Sequence, residues 1–354
     1  MIKGGAGRVD ALDGIRGIAI LLVLAVHWLQ PYFAHFPGGY VGVDVFFVLS
    51  GFLITSTLWR PSARSGLSQW LRFERRRVQR LYPALIAFLI VGVIVVWITN
   101  APTSGSNALK AALFSSVQLS SFVAGSGSEA LRPFGHTWSL SVEWIFYLVW
   151  PIAIIIVRTR LTATTAAASA LVLAIVLYAV ALPASADWFY FGPVSRSAQI
   201  LVGAALALFV AGGHRFRVAT AFGVGATGAL IAWTFVGSNE TETAYRAFGY
   251  PLATVAAVCL IGCALRADHR GARALSWAPL SLLGRVSYSL YLWHVLGIEA
   301  LTPETLPLPR VALGAIAVIG TVVFTAASYL LLERPVLRPS QATRSAVERE
   351  AAEA

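Results

Sequence analysis

Arg16 and His27 lie eleven residues apart in one apolar run, and they are the first pair in this sequence whose types and spacing could do chemistry. On an α-helix that separation is about 1100°, three turns plus roughly 20°, and about 16 Å of rise. The two side chains then share a face without touching. A long ligand lying along that face would set an anionic head on the arginine and a reactive end at the imidazole. An acyl thioester of coenzyme A has that shape. On spacing alone, the plainer reading of a topology anchor and a hydrogen-bonded interior histidine stays open.

Four further ionisable groups sit inside apolar runs, namely Asp44, Glu143, Arg196 and His294. Such groups are costly in lipid and usually face a bundle interior or a watery cavity. At about 1.5 Å per residue, Asp44, Glu143 and Arg196 come out some 8 to 9 Å below the outer boundary, with His27 near the midplane. A carboxylate beside His27 would hold its tautomer and raise its basicity, as proton abstraction from a hydroxyl requires. A structural polar network linking helices explains the same residues. The six histidines are scattered, and no two share a metal-ligand spacing on one helix face, so no metal is expected. Ser50 and Ser141 read as packing or locally bonded residues rather than nucleophiles.

The elements that must position these groups follow from composition. Of 354 residues 57% are apolar and 12% charged, against about 25% charged in soluble domains, and the mean hydropathy is +0.73. A water-soluble protein is excluded. The pattern predicts an all-α polytopic bundle of ten spans near residues 16–34, 39–58, 81–99, 137–157, 162–182, 190–211, 217–236, 247–265, 283–301 and 311–332. The first is expected to be a retained span rather than a cleaved leader. The segment 111–124 is short and rich in serine, and is expected to re-enter or lie at the interface.

Alternate connections then hold 22 of the 27 lysines and arginines on one side, which predicts cytoplasmic termini. The net charge of +11 therefore sets topology and attracts anionic lipid headgroups, and no nucleic-acid partner is expected. Residues 1–338 are expected to form one membrane domain and 339–354 a disordered cytoplasmic tail. Cys259 and Cys263, four apart in one run, read as packing residues.

The string "DGIRGIAILLVLAVH" from Asp13 to His27 and "GGYVGVDVFFVLSGFLIT" from Gly38 to Thr55 closely resemble membrane acyltransferase family 3. The family's further motifs follow in order: "RRRVQRLYP" from Arg75, "HTWSLSVEWIFYLVWP" from His136, "GRVSYSLYLWH" from Gly284 and "LERP" from Leu332. The resemblance covers nearly the whole chain. It implies an enzyme of the bacterial plasma membrane that moves an acyl group, often acetyl, from cytoplasmic acyl-CoA to a hydroxyl of a sugar, glycan or glycosylated small molecule. Acyl-CoA is then a co-substrate, with no tightly bound cofactor.

By the same resemblance, His27, Glu143 and Asp44 are the expected catalytic residues. Arg16, Arg77, Arg80, Arg196, His136 and His294 are the expected substrate-binding ones. One departure stands out: relatives commonly carry Gln two residues after the motif Glu, and here Trp144 and Ile145 follow Glu143. Some relatives continue into an extracytoplasmic hydrolase-like domain, which is not expected within these residues. The rival class is a secondary transporter or flippase, for which internal repeats or paired broken helices would be expected; a non-enzymatic membrane sensor is a third reading.

Overall fold

The computed structural model describes residues 6–29, 36–59, 66–99, 105–239, 241–266, 270–303 and 305–337, and the expected tail at 339–354 lies outside them. Among the described residues every regular element is helical: α1 (Ala6–Leu29), α2 (Val41–Leu58), α3 (Leu67–Thr99), α4 (Gly105–Ser116), α5 (Ser120–Gly125), α6 (Trp138–Arg158), α7 (Ala163–Ala181) and α8 (Ala186–Phe191). There follow α9 (Pro193–Ala211), α10 (Thr220–Val236), α11 (Tyr250–Ala264), α12 (Arg270–Leu275), α13 (Ala278–Trp293), α14 (Leu296–Ala300), α15 (Arg310–Ser328) and α16 (Arg334–Leu337). A π-helical turn, Tyr245–Gly249, leads into α11.

A long helix lies at each of the ten places where a span is predicted, and eight are long and apolar enough to cross a membrane. The exceptions are α10, with 17 residues, and α13, with 16. The segment 111–124 is not one helix. It breaks between α4 and α5 at Gln118, whose φ is 59°, and the 12 residues of α4 rise only about 18 Å against a core of about 30 Å. Helix α3 begins at Leu67 rather than near residue 81, so the arginine cluster expected in a connection is helical. Leu, Gln, Arg and Glu between 67 and 80 are good helix formers with no breaker among them.

The centre of the bundle is built by backbone contact. A Cβ on Gly284 of α13 would fall 1.7 Å from the Asp13 carbonyl oxygen, and one on Gly14 of α1 1.8 Å from that of Leu275. Helices α2 and α9 meet the same way, through Gly51 against Ile200 and Gly203 against Val48. Small residues let helices approach this closely where lipid offers no hydrophobic drive. On the other side of α9, the alanine face of α7 (Ala166, Ala167, Ala170 and Ala174) packs against it. Helix α2 is central, with 72% of it buried against 22% of the apolar window of α7. The outward residues of α3, α7 and α15, such as Ile94, Ile175 and Val322, are exposed and apolar, as hydrocarbon contact requires.

Candidate active site

Two cavities lie back to back between α1, α2, α6 and α13. The first, about 220 Å³, is lined by three guanidinium side chains, Arg16 of α1 and Arg77 and Arg80 of α3, together with Glu143 of α6. Arg16 Nε donates to Ser287 Oγ of α13 at 3.2 Å, a contact that the close approach of α1 and α13 permits. Arg77 and Arg80 share a face at i, i+3. Arg77 donates to the Tyr147 hydroxyl at 3.3 Å and stacks over that ring, 4.4 Å from its centroid. Tyr147 in turn donates to Glu143 Oε2 at 2.6 Å, and Ser50 of α2 donates to Oε1 at 2.5 Å. Among the residues that line this cavity three are cations and one, Glu143, is a carboxylate already engaged by two hydroxyls, a lining that suits an anionic ligand.

The second cavity, about 570 Å³, is lined by His27 and His136, by the aromatic rings of Tyr40, Trp138 and Tyr190, and by Arg132, Asp187 and Glu299. His27 stands at its wall with Nδ1 against the Val23 carbonyl, 2.8 Å away. A carbonyl only accepts, so Nδ1 carries the proton and Nε2 of the neutral ring is left as a bare lone pair. His294 bonds Nδ1 to Tyr291 O at 2.7 Å, and His136 bonds Nε2 to Leu292 O at 3.1 Å. The remaining nitrogens, His294 Nε2 and His136 Nδ1, are buried without a hydrogen-bond partner among the described residues.

The three rings form a row, with His294 4.8 Å from His27 and 5.4 Å from His136. Why histidines stand here has a local cause. Helix α13 ends at Trp293, and in a membrane its last carbonyls need donors. Those of Leu290 to His294 are met in turn by the His294 amide and ring, His136, Thr321 and Trp28 Nε1.

Val43 and Tyr291 line both cavities, so at that point the partition is one side chain thick. Tyr291 is held by its own donation to His136 O at 2.9 Å and by Ser139 Oγ at 2.7 Å. Phe47 and Trp138, 5.9 Å apart, stand on either side of the same wall.

Two expected site residues are placed elsewhere. Asp44 does not support His27, because it is spent on Arg196: Oδ1 accepts from Arg196 Nη1 at 2.6 Å, and both oxygens accept from Tyr245 at 2.8 and 2.7 Å. Arg196 also donates to Tyr190 O at 2.5 Å and Gln199 at 3.2 Å, and it lies 4.2 Å from the Tyr190 ring centroid. Neither side chain of the pair lines either of these two cavities, and the exposures of Arg196 and Asp44 are 0% and 1%. Glu143 is not bonded to His27 either; the two belong to different cavities. The equal depths of Asp44, Glu143, Arg196 and His27 therefore do not make one cluster. Arg16, Arg77, Arg80, His27 and His136 do line cavities, and His294 reaches the second through His27.

Sequence reasoning missed Val43, Tyr147, Ser287 and Tyr291. Three of them had a helical signal: Tyr147 is i+4 from Glu143, and Ser287, Tyr291 and His294 follow at i, i+4 and i+7 on one face. Among the described residues no group of three or more His, Cys, Asp or Glu side chains is arranged to hold a metal.

Comparison with known proteins gives relatives that are similar over most of this chain. The "Putative peptidoglycan O-acetyltransferase YrhL" of Bacillus subtilis is 31% identical over 356 residues, 93% of this chain and 55% of that protein. The O-acetyltransferase OatA of Staphylococcus aureus is 29% identical over 310 residues, covering 81% of this chain and 50% of its own. The peptidoglycan O-acetyltransferase OatA of Listeria monocytogenes is 27% identical over 351 residues, covering 93% and 56%. The chain thus spans about half the length of the curated relatives it matches. No solved structure matches it. Residues 9–333 match the acyltransferase family 3 profile, described as an acyltransferase domain, and with the two cavities and their motif residues in place the chain belongs to that family.

Proposed function

We propose that this chain is a membrane O-acyltransferase that moves an acetyl group from cytoplasmic acetyl-CoA to a hydroxyl of a glycan. The observation that carries the reading is the pair of cavities sharing Val43 and Tyr291, with three guanidinium groups on one and the bare Nε2 of His27 on the other. The bias of lysine and arginine supports an orientation with the arginine cavity toward the cytoplasm and both termini there. Ten spans, with α10 and α13 included, fit that bias.

In this reading the phosphates of coenzyme A bind Arg16, Arg77 and Arg80, and the pantetheine arm runs inward along α1 over about 16 Å. The thioester comes to rest at the shared wall. His27 Nε2 takes the proton of an acceptor hydroxyl, the hydroxyl oxygen bonds to the acyl carbon and the carbon–sulfur bond breaks. The imidazolium returns the proton to the departing thiolate, so atoms and charge balance. Glu143 anchors Tyr147 and Ser50 and so holds Arg77 in position. Asp44 and Arg196 fix α2 against α9.

For the acceptor we propose a peptidoglycan sugar, after the activity for which two of the relatives are named. The second cavity suits a sugar: its aromatic faces can cover ring C–H groups while Arg132, Asp187 and Glu299 meet hydroxyls. The test is transfer in proteoliposomes from labelled acetyl-CoA to soluble peptidoglycan fragments. Transfer lost in His27→Ala supports the proposal, whereas solute flux without CoA release would replace it with transport.

A further inference from the structure

We infer that Val43 sets the length of the acyl group that this chain transfers. The inference rests on the proposed acyl transfer and goes beyond it, to the part of the donor that neither the arginines nor His27 can read. His27 lines only the outer cavity, and Arg16, Arg77 and Arg80 line only the inner one. A thioester held by the arginines and attacked by a hydroxyl on His27 therefore has its carbonyl at the common wall. The carbons beyond that carbonyl must fit between Val43 and Tyr291.

That gap has fixed edges. Val43 is bracketed by two anchors on α2. Gly42 packs so closely on α1 that a Cβ there would meet Ala19 O at 2.4 Å. Asp44 is locked on Arg196 and Tyr245. Tyr291 is held from the opposite side by its hydroxyl bonds to His136 O and Ser139. With neither backbone free to retreat, the width of the gap follows the side chain at position 43. The valine's isopropyl group admits a short chain and stops a longer one. A methylene of fit in an apolar pocket is worth roughly 10- to 200-fold in discrimination.

The experiment compares acetyl-, propionyl- and butyryl-CoA as donors for the full chain in proteoliposomes, using wild type, Val43→Ala and Val43→Leu. Affinity for coenzyme A is titrated in parallel to confirm that each variant folds and keeps the arginine cavity. Val43→Ala is expected to raise the propionyl-to-acetyl ratio of kcat/KM by about tenfold or more. Val43→Leu is expected to lower it, with coenzyme A affinity unchanged in both. Unaltered ratios in variants that bind coenzyme A and still transfer acetyl overturn the inference and leave acyl transfer standing. Wild type that transfers no acyl group from any of the three thioesters overturns the underlying reading, and the inference with it.

Discussion

The imidazoles of His27 and His294 meet edge to face, with centroids 4.8 Å apart and ring planes at 88°. Both rings give their Nδ1 proton to a backbone carbonyl, so both offer an unprotonated Nε2. His27→Ala is expected to lower kcat by 10²- to 10⁴-fold, the usual worth of a positioned general base. His294→Gln keeps a donor for Tyr291 O but has no basic nitrogen. It is expected to lower kcat by about tenfold, ~1.4 kcal/mol, through loss of the ring packed edge to face on His27, with KM for acetyl-CoA unchanged. Steady-state kinetics that show the loss in KM instead would remove His294 from the acceptor side.

Arg77 both bonds and stacks on Tyr147, a combination that needs a planar guanidinium. Arg77→Lys should therefore behave much like Arg77→Ala, raising KM for acetyl-CoA several-fold. An ammonium at position 77 that restores wild-type KM would mean that charge alone is read there. Salt titration of coenzyme A binding gives a second measure, since affinity built on exposed cations weakens as ionic strength rises.

Breaking the Asp44–Arg196 pair leaves a charge in a fully buried place. Arg196→Met is expected to destabilise the protein by about 3–5 kcal/mol, whereas Asp44→Leu combined with Arg196→Met costs less than that single change. Thermal unfolding in detergent checks the order. A double variant less stable than the single would show that the pair contributes more than it costs to bury.

Two glycines give opposite expectations. Gly284→Ala drives a methyl group into the Asp13 carbonyl and must part α1 from α13, costing stability and the Arg16–Ser287 contact. Gly320 of α15 has nothing near its missing Cβ. Gly320→Ala is expected to be neutral or to stabilise by up to about 1 kcal/mol through helix propensity. The two melting temperatures, measured side by side, decide whether the close approach is what Gly284 serves.

Much of the scaffold could be read from hydropathy, because apolar runs of about 20 residues announce themselves one at a time. That 111–124 is no full-length helix was also legible, through its serines and short length, though its break at Gln118 was not. The partners were not. Asp44 and Arg196 are 152 positions apart, and depth along a helix says nothing about which way a side chain points. A carboxylate near the level of His27 therefore suggested a catalytic contact where packing had made an ion pair. The same limit hid the division into two cavities. Arg16 and His27 share a face of α1 as their spacing implies, yet Val43 and Tyr291, contributed by two other helices, stand between their compartments.

A barrier only one valine and one tyrosine deep has a bioenergetic meaning in the proposed reaction. In that proposed reaction the coenzyme, with its costly nucleotide, stays on the side of the arginines, and only a small uncharged fragment passes the wall. The two compartments need share no more than the width of an acyl chain at Val43 and Tyr291, so the proposed transfer asks for no water-filled path across the membrane.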